Sequence, residues 1–181
     1  SGKKESVVDA QGKFAMCVKY SPNGRYLACG SIDGFANIYD CQINKLVHSI
    51  KAHTMPIRTI VFSGNSGLVC TASDDGMIKV FEFKTMANMS STGVVNEFKG
   101  HDSYVLSADF SNDNAHIVTG SSDKTVKIWN REENKCSHTF YEHQDQVWGV
   151  KYNFPNSNIV SVSEDKSINI YEIPNFNKVS V

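Results

Sequence analysis

Between residues 100 and 130, apolar and polar positions alternate in three short runs, 104–110, 116–121 and 125–130, separated by turn-forming residues. A period of two over such lengths predicts three β-strands. Ser122-Asp123-Lys124 forms the turn between the last two, and Gly100-His101 stands just ahead of the first. This frame holds an indole (Trp129), two hydroxyls (Thr119 and Ser121), an imidazole (His101) and a carboxylate (Asp123). Buried polar groups need partners, and these groups can satisfy one another in a chain. Thr119 and Ser121 lie two apart and share a strand face. The sequence leaves open which hydroxyl joins, and Ser121 is included in the expected network.

The same pattern recurs along the chain. Turn aspartates Asp33, Asp75, Asp123 and Asp165 follow at intervals of 42, 48 and 42 residues, and the sixth residue after each is Tyr39, Phe81, Trp129 or Tyr171. Gln11, His53, His101 and His143 open the units, with Ser21, Ser63, Ser111 and Asn153 ten residues later. Self-similarity at such a period marks a repeat architecture. The pattern resembles the WD repeat, whose unit is a four-stranded blade of a β-propeller. The expected fold is therefore all-β, with four blades in this chain. Only the unit from His101 to Trp129 holds every polar member; the first lacks the histidine, and the second ends in Phe81, which has no donor. The role expected for His53, Asp75, His101, Ser121, Asp123, Trp129, His143 and Asp165 is structural, neither catalytic nor metal-binding.

Taken in order, residues 1–12 read as an N-terminal strand, centred on Ser6-Val7-Val8-Asp9, that completes another blade. Blade 1 is expected over 13–50, blade 2 over 51–98, blade 3 over 99–141 and blade 4 over 142–174, with a tail at 175–181. A polar segment, 84–93, lengthens the second unit, and extra residues in a blade belong in a surface loop. Blade 4 is expected to lack its outer strand, because Pro174 discourages a regular ladder. Such an arc would expose an apolar face at each end and an unpaired sheet edge. Two closures are expected: a second copy arranged head to tail, giving an eight-bladed homodimeric ring, or further blades N-terminal to this sequence.

Composition narrows the function. A net charge of −1 argues against nonspecific nucleic-acid binding, which depends on clustered Lys and Arg. With only Arg25, Arg58 and Arg131, capture of phosphopeptides by an arginine cluster is disfavoured. The five cysteines (Cys17, Cys29, Cys41, Cys70, Cys136) contain no C-x-x-C pair and mostly fall within apolar strand patterns. That usage fits a reducing compartment and no zinc site. Asn88-Met89-Ser90 matches a glycosylation acceptor, a tripeptide common by chance. No apolar run reaches membrane-spanning length and no signal peptide is visible, so a soluble intracellular protein is expected.

Several runs carry a closer resemblance: Gly12-Lys13-Phe14, Tyr20-Ser21-Pro22-Asn23-Gly24-Arg25-Tyr26-Leu27-Ala28, Met55-Pro56-Ile57-Arg58, Thr71-Ala72-Ser73-Asp74-Asp75-Gly76, and His143-Gln144-Asp145-Gln146-Val147-Trp148-Gly149-Val150-Lys151-Tyr152-Asn153. Together they are similar to the WD-repeat subunit of the superkiller complex, which is shared with the RNA-polymerase-associated Paf complex. The likeness spans nearly the whole chain and corresponds to the C-terminal four of that family's seven blades. The resemblance implies a noncatalytic scaffold that joins a tetratricopeptide-type subunit to a helicase in exosome-linked RNA decay. It also implies a part in transcription elongation, with residence in nucleus and cytoplasm.

Recognition in a propeller varies on the loops before each inner strand and before each turn aspartate. The first set is Phe14, Pro56, Tyr104 and Gln146; the second is Ile32, Asp74, Ser122 and Glu164, and Trp148 adds an amphipathic surface beside them. This group is aromatic, apolar and mildly acidic, and Trp and Tyr are frequent interface anchors. No nucleophile elbow, phosphate-cradling glycine loop or HExxH is present, so no enzymatic activity and no cofactor are expected. Protein partners are expected, with no direct nucleic acid and no membrane. The alternative is a substrate receptor or histone-tail reader that takes a basic tail at an acidic mouth formed by Asp74 and Glu164.

Overall fold

The computed structural model describes residues 2–3, 7–10, 13–82, 93–153 and 158–173, and among these the regular structure is entirely β. Among the described residues, fifteen strands form four antiparallel sheets. The first sheet takes β1 (Ala15–Tyr20), β2 (Tyr26–Ser31), β3 (Phe35–Asp40) and β4 (Lys45–Lys51) in chain order. The second takes β5 (Ile57–Phe62), β6 (Leu68–Ser73), β7 (Met77–Glu82) and β8 (Val94–Lys99). The third takes β9 (Val105–Phe110), β10 (His116–Ser121), β11 (Val126–Asn130) and β12 (Lys135–Phe140). The fourth has three strands among the described residues: β13 (Val147–Tyr152), β14 (Asn158–Ser163) and β15 (Ile168–Glu172).

Each sheet is a blade. The innermost strands touch in succession, β1 against β5, β5 against β9, and β9 against β13, so the sheets stand side by side in an arc. Register repeats from blade to blade: Ala36 faces Ile50, Ile78 faces Phe98 and Val126 faces Phe140 between the third and fourth strands. Each inner strand carries one irregularity near its start, as between Ile57 and Thr59.

The core lies between blades rather than in one central mass. Ala28, Ala36 and Ile38 of blade 1 meet Ile57, Ile60, Val69 and Phe81 of blade 2. Cys70, Ile78, Val80 and Phe98 of blade 2 meet Val105, Ala108, Ile117 and Trp129 of blade 3. Val118, Val126, Ile128 and Phe140 of blade 3 meet Val147, Val150, Ile159 and Tyr171 of blade 4. Alternation along each strand therefore serves two neighbours, one face per adjacent blade. The aromatic at the end of each third strand packs backwards: Trp129 lies 5.3 Å from Phe98, and Tyr171 stacks 4.2 Å from Phe140.

The segment 84–93 lies outside the described residues save Gly93, and the tail at 175–181 lies outside them entirely. Residues 7–10 belong to no sheet of their own chain, although Ser6-Val7-Val8-Asp9 is expected as a strand and Ser6 lies outside the described residues. A strand needs a ladder partner. In this segment the Asp9 carbonyl accepts from the Tyr39 hydroxyl at 2.8 Å, and the Ala10 carbonyl accepts the Lys13 N–H at 3.3 Å.

Candidate functional site

Blade 3 contains a polar chain whose members each have one assignable role. The Trp129 indole N–H can only donate, and it reaches Thr119 Oγ1 at 2.8 Å. The Thr119 hydroxyl then donates to His101 Nε2 at 2.7 Å. That makes Nε2 the acceptor and places the ring proton on Nδ1, which donates to Asp123 Oδ2 at 2.7 Å. Thr119, His101 and Trp129 are all buried. The hydroxyl of the relay is thus Thr119. Ser121 is equally buried but faces the turn, where its hydroxyl accepts the Asp123 backbone N–H at 3.1 Å.

The other blades keep parts of this chain. In blade 2 His53 contacts Asp75 at 3.0 Å and Thr71 at 2.8 Å, and Phe81 supplies bulk without a donor. In blade 4 His143 contacts Asp165 at 2.8 Å and Ser161 at 2.6 Å, with the Tyr171 hydroxyl 3.4 Å from Ser161. In blade 1 Cys29 holds the hydroxyl's place, and Gln11, which holds the histidine's, lies outside the described residues. A serine column two residues on (Ser31, Ser73, Ser121, Ser163) sits at the head of every turn; the last three accept an N–H from the turn aspartate.

The turn aspartates of blades 2, 3 and 4 each fasten two segments. Asp123 Oδ1 accepts the Thr125 N–H at 2.9 Å, while Oδ2 accepts the Asp102 N–H at 3.0 Å beside His101. Asp165 makes the same pair of contacts with Ser167 and Gln144. Burial alone would raise the Asp123 pKa, but the hydrogen bonds from His101 and Thr125 hold it well below the usual carboxylate range. Asp165 is also held low, chiefly by the Ser167 hydroxyl. The His53 imidazole goes the other way for its charge: burial lowers its pKa, and Asp75 only partly offsets that. After each aspartate the backbone is left-handed, with Gly34 at φ 82° and Lys124 at φ 73°. Gly34 is required, because a Cβ there would collide with the His53 carbonyl.

These turns present the candidate binding face. The two loop columns are joined residue to residue by backbone hydrogen bonds: Ile32 N–H to the Phe14 carbonyl (2.9 Å), Asp74 to Pro56 (3.1 Å), Ser122 to Tyr104 (2.9 Å) and Glu164 to Gln146 (2.9 Å). The nine residues expected there are therefore brought together as four fixed pairs, one per blade, with Trp148 beside the last. Phe14, Ile32, Tyr104, Trp148 and Glu164 are exposed; Pro56, Ser122 and Gln146 are half-buried, and Asp74 is buried.

Trp148, already expected at this face, belongs to a column one residue inside each inner strand whose other members, Met16, Arg58 and Leu106, the sequence reading missed. Arg58 grips Asp74 through two parallel contacts, Nε to Oδ1 at 2.7 Å and Nη2 to Oδ2 at 2.8 Å. The Asp74 hydrogen bond raises the pKa of Arg58 further. Trp148 Nε1 donates to Glu164 Oε2 at 2.6 Å. Both carboxylates expected at an acidic mouth are thus engaged within their own blade, and the face holds an arginine that the loop columns alone do not contain. The signal was the repeat itself, since Arg58 and Trp148 occupy equivalent places. No group of three His, Cys, Asp or Glu side chains suited to a metal occurs among the described residues.

Comparison with known proteins places this arrangement. The chain is 37% identical over 79 residues to meiotic recombination protein rec14 of Schizosaccharomyces pombe, covering 44% of this chain and 26% of that protein. It is 45% identical over 60 residues to WD repeat-containing protein VIP3 of Arabidopsis thaliana, covering 33% and 19%. It is 27% identical over 115 residues to the DDB1- and CUL4-associated factor 11 homolog of Caenorhabditis elegans, covering 62% and 20%. The chain spans about a fifth to a quarter of the length of these relatives. The WD40 family model (WD domain, G-beta repeat) matches residues 2–40, 44–82, 93–130 and 134–172. With four matched repeats in register with the strands and covering most of its length, the chain belongs to the WD40 repeat family.

Proposed function

We propose that this protein is a noncatalytic interaction scaffold that seats an extended peptide segment of a larger subunit across the four loop pairs. WD40 repeat proteins generally serve as noncatalytic scaffolds for protein partners. The observation that carries the reading is the state of the loop face: its backbone is fixed, its carboxylates Asp74 and Glu164 are engaged internally, and Phe14, Tyr104 and Trp148 remain exposed. Such a face offers aromatic area at little ordering cost, which favours apolar anchors over a basic tail.

On the superkiller-subunit resemblance, the partners are a tetratricopeptide-type scaffold and a helicase, in RNA decay and transcription elongation, in both nucleus and cytoplasm. A second copy of the chain is a further partner in this reading. Affinity purification of the tagged protein from its native cell, with identification of co-purifying subunits, tests it. Recovery of a tetratricopeptide protein with a helicase is the expected result. The alternative is a substrate receptor, favoured by the 27% likeness to a DDB1- and CUL4-associated factor. Recovery of a ligase adaptor or of chromatin subunits, without the other pair, would establish that reading instead.

A further inference from the structure

We infer that Arg58 decides which segments the loop face accepts: the seated peptide places an aspartate or glutamate carboxylate on the free edge of the Arg58 guanidinium, with apolar residues on either side of it. The inference rests on the scaffold function proposed for this face and adds the chemistry that the partner must carry.

The pair of Arg58 and Asp74 is built unequally. Its carboxylate is sunk, with 5% of the Asp74 side chain exposed, whereas the Arg58 side chain is 38% exposed. Asp74 takes one edge of the guanidinium, Nε at 2.7 Å and Nη2 at 2.8 Å. A guanidinium carries further N–H donors in the same plane. One N–H on each Nη nitrogen therefore forms a second fork, turned away from Asp74 and without a partner among the described residues. Two parallel N–H donors fit the two oxygens of a carboxylate.

That fork is held still. The Asp74 N–H donates to the Pro56 carbonyl at 3.1 Å, the Ser73 hydroxyl donates to the Met55 carbonyl at 3.2 Å, and Asp75 accepts the Thr54 N–H at 3.3 Å. The loop that carries Arg58 and the turn that carries Asp74 are thus stitched together at successive residues. Ion pairs that reach the surface add little to stability. An arginine oriented by a buried carboxylate, however, binds a second carboxylate with little further ordering cost.

The surroundings set what flanks that carboxylate. Met16, Leu106 and Trp148 hold the equivalent places in the other blades, so Arg58 is the charged member of an otherwise uncharged column. On one side Gly34 abuts the Met55 carbonyl, which brings the turn of Ile32 beside Met55; both side chains are exposed, as is Met16. On the other side Gly76 abuts the His101 and Ser103 carbonyls, which sets the blade 3 loop against the turn of Asp74. Tyr104 on that loop is exposed and lies near enough to favour the charged form of Arg58. The fork therefore stands between an aliphatic patch and a phenol. A phosphate dianion fits less well, because it calls for clustered arginines. Arg25 and Arg131 follow β1 and β11, at the other end of the blades.

Random peptides displayed on phage and selected on the immobilised protein supply the probe. Peptides whose binding is lost on the Tyr104→Ala, Trp148→Ala variant are those seated on the face, and they should be enriched in Asp or Glu set among apolar residues. One such peptide is then synthesised with its acid and with the matching amide, and both are titrated by calorimetry. The amide should bind the unchanged protein roughly tenfold more weakly. Against the Arg58→Met, Asp74→Asn variant, which leaves no charge unpaired, the two peptides should bind within roughly twofold of each other. Arg58→Lys keeps the charge beside Asp74 but has no second fork, so it too should narrow the difference, and it serves where the double variant melts early. Face-bound peptides without acid enrichment, or an acid preference that survives in these variants, would overturn the inference and leave the scaffold function standing. A face that selects no peptide would overturn that function and the inference with it.

Discussion

Blades 2 and 3 meet the same packing problem with different chemistry. Both hold a buried histidine between a turn aspartate and a strand threonine: His53, Asp75 and Thr71 in one, His101, Asp123 and Thr119 in the other. They part at the aromatic position. Trp129 brings a donor that must be satisfied, and Thr119 satisfies it; Phe81 brings none, and Thr71 lies 3.4 Å from the Lys79 carbonyl instead. The histidine–aspartate pair therefore fixes the loop whatever lies beneath it, and the hydroxyl carries a heavier duty only where the indole needs it.

The largest effect should come from the aromatic itself. Trp129→Ala removes a fully buried ring between blades 2 and 3 and should cost about 3–5 kcal/mol, read by chemical denaturation. Next come the two threonines. Thr119→Val leaves both the Trp129 N–H and the His101 Nε2 unpaired and should cost about 2–5 kcal/mol. Thr71→Val strands only His53 and should cost about 1–3 kcal/mol. Equal losses in the two blades would break the comparison.

Acid should sharpen it. The folded-state pKa of Asp123 is held below its unfolded value, so its stabilisation is fully present above about pH 4 and fades as pH falls through the folded value. The lowered pKa of His53 works in the same direction: its neutral form is favoured in the fold, so stability declines as pH drops below about 6.5. Melting temperature followed from pH 7 to pH 3 should fall in two stages. His53→Gln should flatten the upper stage, and Asp123→Asn should shrink the lower one. A profile unmoved by either variant would contradict these assignments.

Much of this was legible before the structure. The aspartate, histidine and aromatic columns predicted the strands to within a few residues, because turn chemistry and alternation act locally. What stayed hidden depended on reach. Thr119 and Ser121 share a face, and only the depth of the indole decides that Thr119 meets Trp129 while Ser121 stays with the turn. Arg58 lay outside both loop columns by sequence position, yet its long side chain returns to Asp74 and changes the charge of the face. Residues 7–10, expected within a strand that completes another blade, join no sheet among the described residues, and the Asp9 carbonyl meets the Tyr39 hydroxyl instead.

The smallest expected effect on stability is at the loop face, and there the largest effect should be on binding. Tyr104 and Trp148 are exposed, so replacing both with alanine should change stability by less than about 1 kcal/mol. The most direct test of a scaffold that binds through this face is to purify the tagged Tyr104→Ala, Trp148→Ala variant beside the unchanged protein and compare partner recovery at matched melting temperature. The account predicts at least a tenfold loss of the co-purifying subunits. Undiminished recovery would contradict it.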